Sequence, residues 1–215
     1  MLASEARANS ASNGSPFKEH SRVVFKHLTL WIDGVGGFLL WYEPSLVVGQ
    51  SCEAGPADIG IMGDIGRTAF AVHRTDRDYF LQPCQPLRVD GTAIVRPQLL
   101  RDGSKLELGS AVQLRFRQPH VLSATARLEK VSPHRWQPQV DAVLMLSDYC
   151  IIGPRPGSHI LCLDWENEIT LLQQAGTWVL RSELELEVNH RTVPSPIAIG
   201  PGMSVRSATF SLSFE

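Results

Sequence analysis

The hydrophobic pattern of this chain repeats every second residue and is cut short by turn residues almost everywhere. HLTLWI (27–32), GGFLLWY (36–42), SLVVG (45–49), TAFAVHR (68–74), DYFLQ (78–82) and AVQLRFR (111–117) are short runs that alternate or are rich in β-branched and aromatic residues. DGVGG (33–37), EP (43–44), TDRD (75–78), VDG (89–91) and RDGS (101–104) separate them. Helical spacing is nowhere sustained. The best stretch, ENEITLLQQAG (166–176), reads equally well as a pair of strands. With 17 Gly and 14 Pro to supply turns, the pattern predicts an all-β sandwich or barrel.

The second half replays the first. LTLWIDGVGGFLLWYEPSLVVG (28–49) gives strand, turn, strand, turn and an apolar strand closed by Gly49; residues 124–153 give the same order, closed by Gly153. Residues 76–95 then match 176–193, and 99–117 match 196–214, in order though not in identity. This predicts two tandem copies of one β-module, joined through RQPHVLS (117–123).

Residues 1–21 are dominated by Ser, Ala, Asn and Gly, and are expected to form a disordered tail. They hold no apolar core of a signal peptide, and no run of 18 apolar residues occurs in the chain, so the expected setting is cytoplasmic with no membrane partner. Of the 215 residues 43% are hydrophobic, enough for a real core. A net charge of −2 argues against broad nucleic-acid binding, which depends on neutralising phosphates. Four cysteines are too few for a disulfide scaffold of this size.

From Gly49 onward the pieces ADIGIMGDIGRTAFAVHR (57–74), DYFLQP, VDG and LRDGSKLELG followed by VQLRFR come in the order of a known family. Over about residues 28–117 the chain resembles a forkhead-associated (FHA) domain, a β-sandwich that typically binds phosphothreonine peptides. The LRDGSKLELG segment is the most specific part, and VDG resembles the family's Asn-Gly turn, where Asp and Gly tolerate positive φ. The second copy is linked to the family through the repeat.

The resemblance implies a phosphate site made of an Arg after the first Gly, a Ser and a His spaced Ser-x-x-His, and an Asn in the following loop. Arg and Ser suit a phosphate dianion because they give charge-assisted hydrogen bonds. This chain departs from the pattern. Gln50 follows Gly49, Gly66 and Ala69 stand at the Ser and His positions, and Gln85 falls near the Asn. In the second copy Pro154 follows Gly153, with Trp165 and Glu168 near the Ser and His positions. Hydrogen bonds to charged groups are worth about 1.5–3 kcal/mol each. Losing two removes roughly 3–6 of the ~8 kcal/mol that hold a micromolar complex. Ordinary phosphothreonine binding is therefore expected to fail unless Arg67, Arg74 or Arg77 substitutes; Arg67 lies in the right loop.

Other chemistry finds little support. His159 and Cys162 have metal-ligand spacing, but no second pair follows and strand alternation puts them on opposite faces. No Gly-x-Ser-x-Gly elbow and no phosphate-cradling G-x-G-x-x-G occurs. Trp165 among Asp164, Glu166 and Glu168 raises a carbohydrate-binding or hydrolytic alternative, which needs that Trp exposed. Trp136 in SPHRWQPQ reads as a loop aromatic at an interface. SELELEVNHRT (182–192) alternates Leu184, Leu186 and Val188 with Glu183, Glu185 and Glu187, a half-buried strand with an acidic outer face and a possible sheet edge.

The sequence thus predicts a tail (1–21), an FHA-like sandwich (22–119) and a more divergent one (120–215). The expected role is non-catalytic recognition of a protein or (phospho)peptide. No cofactor and no metal is expected. The peptide-binding residues are expected at Gln50, Ser51, Arg67, Thr68 and Gln85.

Overall fold

The computed structural model describes residues 26–215; the expected tail lies outside them. The described residues form strands and turns without a helix. The first series is β1 (His27–Ile32), β2 (Gly36–Trp41), β3 (Ser45–Gln50), β4 (Ile59–Ile61), β5 (Phe70–Thr75), β6 (Asp78–Pro83), β7 (Leu87–Val89), β8 (Thr92–Ile94), β9 (Gln98–Leu100), β10 (Lys105–Leu108) and β11 (Val112–Arg117). Then come β12 (Ala126–Lys130), the two-residue β13 (Trp136–Gln137), β14 (Ala142–Met145), β15 (Tyr149–Gly153), β16 (Ile160–Leu161), β17 (Ile169–Gln174) and β18 (Thr177–Arg181). The chain ends with β19 (Leu186–Val188), β20 (Arg191–Val193), β21 (Ile197–Ala198), β22 (Met203–Arg206) and β23 (Ser211–Phe214).

Turn chemistry explains the segmentation. Asp33–Val35 closes the β1–β2 hairpin. Between β7 and β8, Asp90 and Gly91 sit at φ 53° and 78°; between β19 and β20, Asn189 and His190 sit at 47° and 68°. Two successive residues at positive φ match the twist of the flanking strands, and Asp, Asn and Gly accept that geometry most readily. ENEITLLQQAG supplies β17 and the turn into β18, which pair from Thr170↔Arg181 to Gln174↔Thr177.

A twelve-stranded sheet runs β20-β19-β22-β23-β1-β2-β14-β12-β11-β10-β7-β8. A six-stranded sheet, β13-β4-β3-β5-β6-β9, and a five-stranded sheet, β16-β15-β17-β18-β21, complete the fold. The order of pairings in the first series recurs in the second, with β13 as the addition.

The two halves exchange hairpins. β1 pairs with β23, so the N-terminal hairpin extends the sheet of C-terminal strands. β12 pairs with β11, so the hairpin after the junction completes the first sandwich. β2 and β14 meet in the middle as a parallel pair, with Leu39 opposite Val143 and Leu40 opposite Leu144. Successive side chains on a strand point to opposite faces. Leu39, Trp41, Val143 and Met145 therefore enter one core, with Phe70, Tyr79 and Phe116. Phe38, Leu40, Ala142 and Leu144 enter the other, with Ile152, Leu171, Val205 and Phe214. Burial on both faces accounts for the unbroken apolar runs of these strands. A cut between residues 119 and 120 separates the two strand series but not the two cores: Leu128 packs in the first, and Leu28 and Leu30 in the second.

Polar contacts fasten the exchanged hairpin. Tyr79 is buried under it, donates its hydroxyl to the Ala124 carbonyl at 2.6 Å, and lies 3.2 Å from that of Met145. Burial pushes the Tyr79 hydroxyl up to about 12. Arg74 donates to the Leu146 carbonyl at 2.6 Å.

Two sequence expectations about tryptophans are corrected. Trp136 is buried, because β13 pairs antiparallel with β4 and carries its side chain into the first core. Trp165 is also buried, with its ring centroid 4.8 Å from that of Phe210, and offers no stacking platform to a sugar. The acidic strand is shorter than the alternation suggested: β19 covers Leu186–Val188, and it lies between β20 and β22 rather than at an edge. No helix among the described residues is long and apolar enough to cross a membrane.

Candidate functional site

At one end of the first sandwich, three connections converge on the end of β3. Gly49 makes this possible: a Cβ there would fall 2.0 Å from the Arg67 carbonyl oxygen. Without a side chain at that point, the 66–69 segment lies directly across the strand. Gln50 N–H donates to the Gly66 carbonyl at 2.9 Å, and Ala69 N–H to that of Val48 at 2.8 Å. Gly66 N–H in turn donates to Gln85 Oε1 at 2.6 Å, and Cys84 N–H to the Ala69 carbonyl at 2.9 Å. Gln50, Arg67, Thr68 and Gln85 are thereby gathered around two glycines.

Ser51 adjoins them, but its hydroxyl is committed elsewhere. It donates to Gln137 Oε1 at 2.7 Å, while Ser51 N–H donates to the Ile61 carbonyl at 2.9 Å. Gln137 belongs to β13, in the loop between β12 and β14, so the second half of the chain contributes to the rim. Met62 N–H donates to the Arg135 carbonyl at 2.9 Å, which brings a second exposed arginine beside this end. Sequence reasoning did not find Gln137 or Arg135. The only signal there was the aromatic in an otherwise polar segment, since no local spacing links residues 50 and 137.

Arg67 is exposed and has no ion pair or hydrogen bond among the described residues. Arg74 and Arg77 are engaged away from it, by the carbonyls of Leu146 and Val121. An anion at this end would meet the Arg67 guanidinium, while the Gly66 amide and the Ser51 hydroxyl are already used. The arrangement gathers polar, hydrogen-bonding side chains at the end of β3. Among the described residues it holds no nucleophile with an oriented base. Ser45 with His73, at 3.0 Å, and Ser132 with His134, at 2.8 Å, have no carboxylate on the other ring nitrogen among the described residues.

The counterpart in the second sandwich follows from the strand register. Val48 faces Phe70 and Ile152 faces Ile169, so Trp165 stands where Gly66 stands, and Glu168 where Ala69 stands. Gly153 again permits close packing, with a Cβ there falling 2.7 Å from Glu168 Cβ. Arg155 pairs with Glu168 at 3.5 Å. These residues border a groove of about 620 Å³ lined by Ile151, Pro154, Glu166, Leu172 and Glu183. Its lining mixes the carboxylates of Asp148, Glu166, Glu168 and Glu183 with the guanidinium groups of Arg155 and Arg181.

A third polar cluster lies where the connector after β11 passes the second sandwich. Asp148 Oδ1 accepts from Ser123 Oγ at 2.6 Å and from Tyr149 N–H at 2.9 Å. Burial opposes ionisation of Asp148, but these bonds outweigh it and hold the carboxyl below its ordinary value. His159 is fully buried, and its Nδ1 accepts from Ile151 N–H at 2.9 Å, leaving Nε2 protonated and without a partner among the described residues. Burial, and then the neighbouring His120 and Arg127, push its pKa down to about 4. No group of three or more His, Cys, Asp or Glu side chains that could hold a metal ion occurs among the described residues.

No protein-family profile matches the chain, and no curated protein matches it. Among solved structures it is similar to the FHA domain of the CT664 protein from Chlamydia trachomatis, at 19% identity and a TM-score of 0.31, over 39% of this chain and 90% of that one. It is also similar to the Rv0020c FHA structure, at 18% identity and a TM-score of 0.26, over 42% of this chain and 91% of that one. A third likeness, to the N-terminal FHA domain of EssC, a component of the bacterial Type VII secretion apparatus, has 10% identity and a TM-score of 0.24, over 87% of this chain and 92% of that one.

Proposed function

We propose that this chain is a non-catalytic protein-recognition module built from two FHA-like sandwiches in tandem, and that its peptide-facing surface is the loop end of the first. Gln50, Ser51, Arg67, Thr68 and Gln85 form that surface, and Arg135 and Gln137 extend it. The observation that carries the reading is the internal use of the donors. Gln85 occupies the Gly66 amide at 2.6 Å and Gln137 the Ser51 hydroxyl at 2.7 Å. A phosphate would have to displace both bonds to gain what the family's arginine and serine would supply directly. Recognition is therefore of an unphosphorylated segment, held by side-chain amides and by Arg67.

A second reading is favoured by one observation: the unpaired, exposed Arg67 can act as a replacement donor for a phosphothreonine. A phosphothreonine peptide library, run beside its unphosphorylated set, separates the two. The expected result is binding that does not depend on phosphate and weakens in Gln50→Ala and Gln85→Ala. Phosphate-dependent binding lost in Arg67→Ala would overturn the degenerate-site reading and install the second.

A further inference from the structure

The two sandwiches differ at one sheet edge. In the first, β4 lies beside β3, with Val48 opposite Ile59 and Gly49 opposite Gly60. In the second, β16 lies beside β15, with Ile152 opposite Ile160 and Gly153 opposite Leu161. The registers superpose Ile59 on Ile160, Gly60 on Leu161, Ile61 on Cys162 and Met62 on Leu163. The outer edge of β4 is covered: β13 pairs with it antiparallel, with Trp136 opposite Ile61 and Gln137 opposite Gly60, and Arg135 accepts from Met62 N–H at 2.9 Å. Among the described residues β16 terminates its sheet, with no strand on its outer side. Leu161 in β16 and Leu163 in the turn that follows it stand 43% and 75% exposed.

The asymmetry has a cause in the loops. The strand that covers β4 comes from the connection between β12 and β14, residues 131–141. The corresponding hairpin of the second sandwich is β1–β2, whose connection is only Asp33–Val35 and cannot supply a strand. Uncovered edges with apolar side chains are templates for pairing with another chain.

We infer that the outer edge of β16 receives an extended segment of a partner protein, added antiparallel as β13 is added to β4, and carrying a basic residue next to a large aromatic one. β13 supplies the aromatic half of this specification, because Trp136 opposite Ile61 corresponds to a side chain opposite Cys162. Charge supplies the basic half. Asp164 and Glu166, just beyond β16, are exposed and without ion pairs among the described residues, and in β13 the residue before the aromatic is Arg135. This inference does not depend on the loop-end reading, since it concerns the other sandwich and main-chain pairing rather than phosphate.

The probe is a labelled peptide with the sequence of residues 132–140, SPHRWQPQV, titrated into the full chain and followed by fluorescence anisotropy. Saturable binding is expected, weakened at least about tenfold in Leu161→Glu, Leu163→Glu and Asp164→Lys. Substituting Glu for the peptide's arginine should weaken it similarly. All three positions are solvent-facing, so unchanged melting temperatures certify the fold. On binding, amide exchange should slow at 160–164. No saturable binding would overturn the proposal, as would binding indifferent to the three substitutions, which would mean that the peptide displaces β13 from β4. Self-association of the chain that Leu163→Glu abolishes would assign the edge to a second copy and also overturn it. Binding of a peptide of residues 1–25 at the same edge, in place of the probe, would assign it to the chain's own N-terminus.

Discussion

Acidification should unfold this protein through His159. The imidazole is fully buried, accepts the Ile151 amide proton at Nδ1, and faces His120, Tyr149 and the Arg127 side chain. Protonation would put a second donor against the Ile151 N–H and a new cation beside Arg127. Burial first, and then the neighbouring His120 and Arg127, push the folded pKa from 6.5 down to about 4. The unfolded chain takes up this proton near pH 6.5 and the native chain does not until near pH 4. In that window the unfolded state binds more protons, and stability rises with pH. The contribution is complete above the unfolded value and is lost as pH falls. Each pH unit is worth about 1.4 kcal/mol, so the full window carries about 3 kcal/mol, of which roughly 2 is lost by pH 5. The assay is urea unfolding across about pH 5 to 7 for the wild type and for His159→Gln, in which the amide oxygen can still accept from Ile151. The stability gap between them should narrow by about 2 kcal/mol on acidification. A gap that stays constant across the range would refute the reasoning, as would an imidazole NMR signal for His159 that titrates near 6.5.

Three further outcomes are expected. Gly49→Ala should destabilise by about 2 kcal/mol or more in thermal melts, because the added carbon falls 2.0 Å from a backbone carbonyl that no rotamer can move aside. Tyr79→Phe should cost about 1–2 kcal/mol in urea unfolding, since it leaves the buried Ala124 carbonyl without its donor at 2.6 Å. In native protein a thiol-reactive dye should label Cys52 and Cys84, which are exposed. It should spare Cys150 and Cys162, whose thiols are buried and pushed up, that of Cys162 to about 12; four equal labelling rates would contradict the packing.

The strands and turns were legible because both signals are local. Alternation marks a strand with one buried face, and Asp-Gly or Asn-x marks a hairpin wherever it occurs. The hairpin exchange was not legible, although part of its signature was present. GGFLLW and AVLM lack alternation, as strands buried on both faces do. Nothing local says which core receives which face, and the 28–49 and 124–153 segments are alike enough to trade places. Trp136 was misread for a related reason: a polar, proline-flanked segment becomes a strand only because the edge of β4 is there to pair with it. At the candidate site, motif order placed Gln50, Arg67, Thr68 and Gln85 near one another, as the structure does, while Gln137 and Arg135 arrive from residues far along the chain. The residue types at these positions could be read from the sequence alone. That Gln85 turns inward to hold the Gly66 amide could not.

The exchange of hairpins also sets an order of events during synthesis. The first sandwich closes only when β12 and β14 exist, so residues 26–117 leave the ribosome without the hairpin their sheet needs. The β1–β2 hairpin, made first, must wait for β23, made last, before its partner strand arrives. A nascent chain is therefore left for most of its translation with unpaired strand edges and no finished core, a state open to chaperones and to pairing with a neighbouring nascent chain. Arrested chains that stop before residue 146 should remain protease-sensitive throughout; resistance should appear first over residues 39–145 in longer chains, and over the second core only once β23 has emerged.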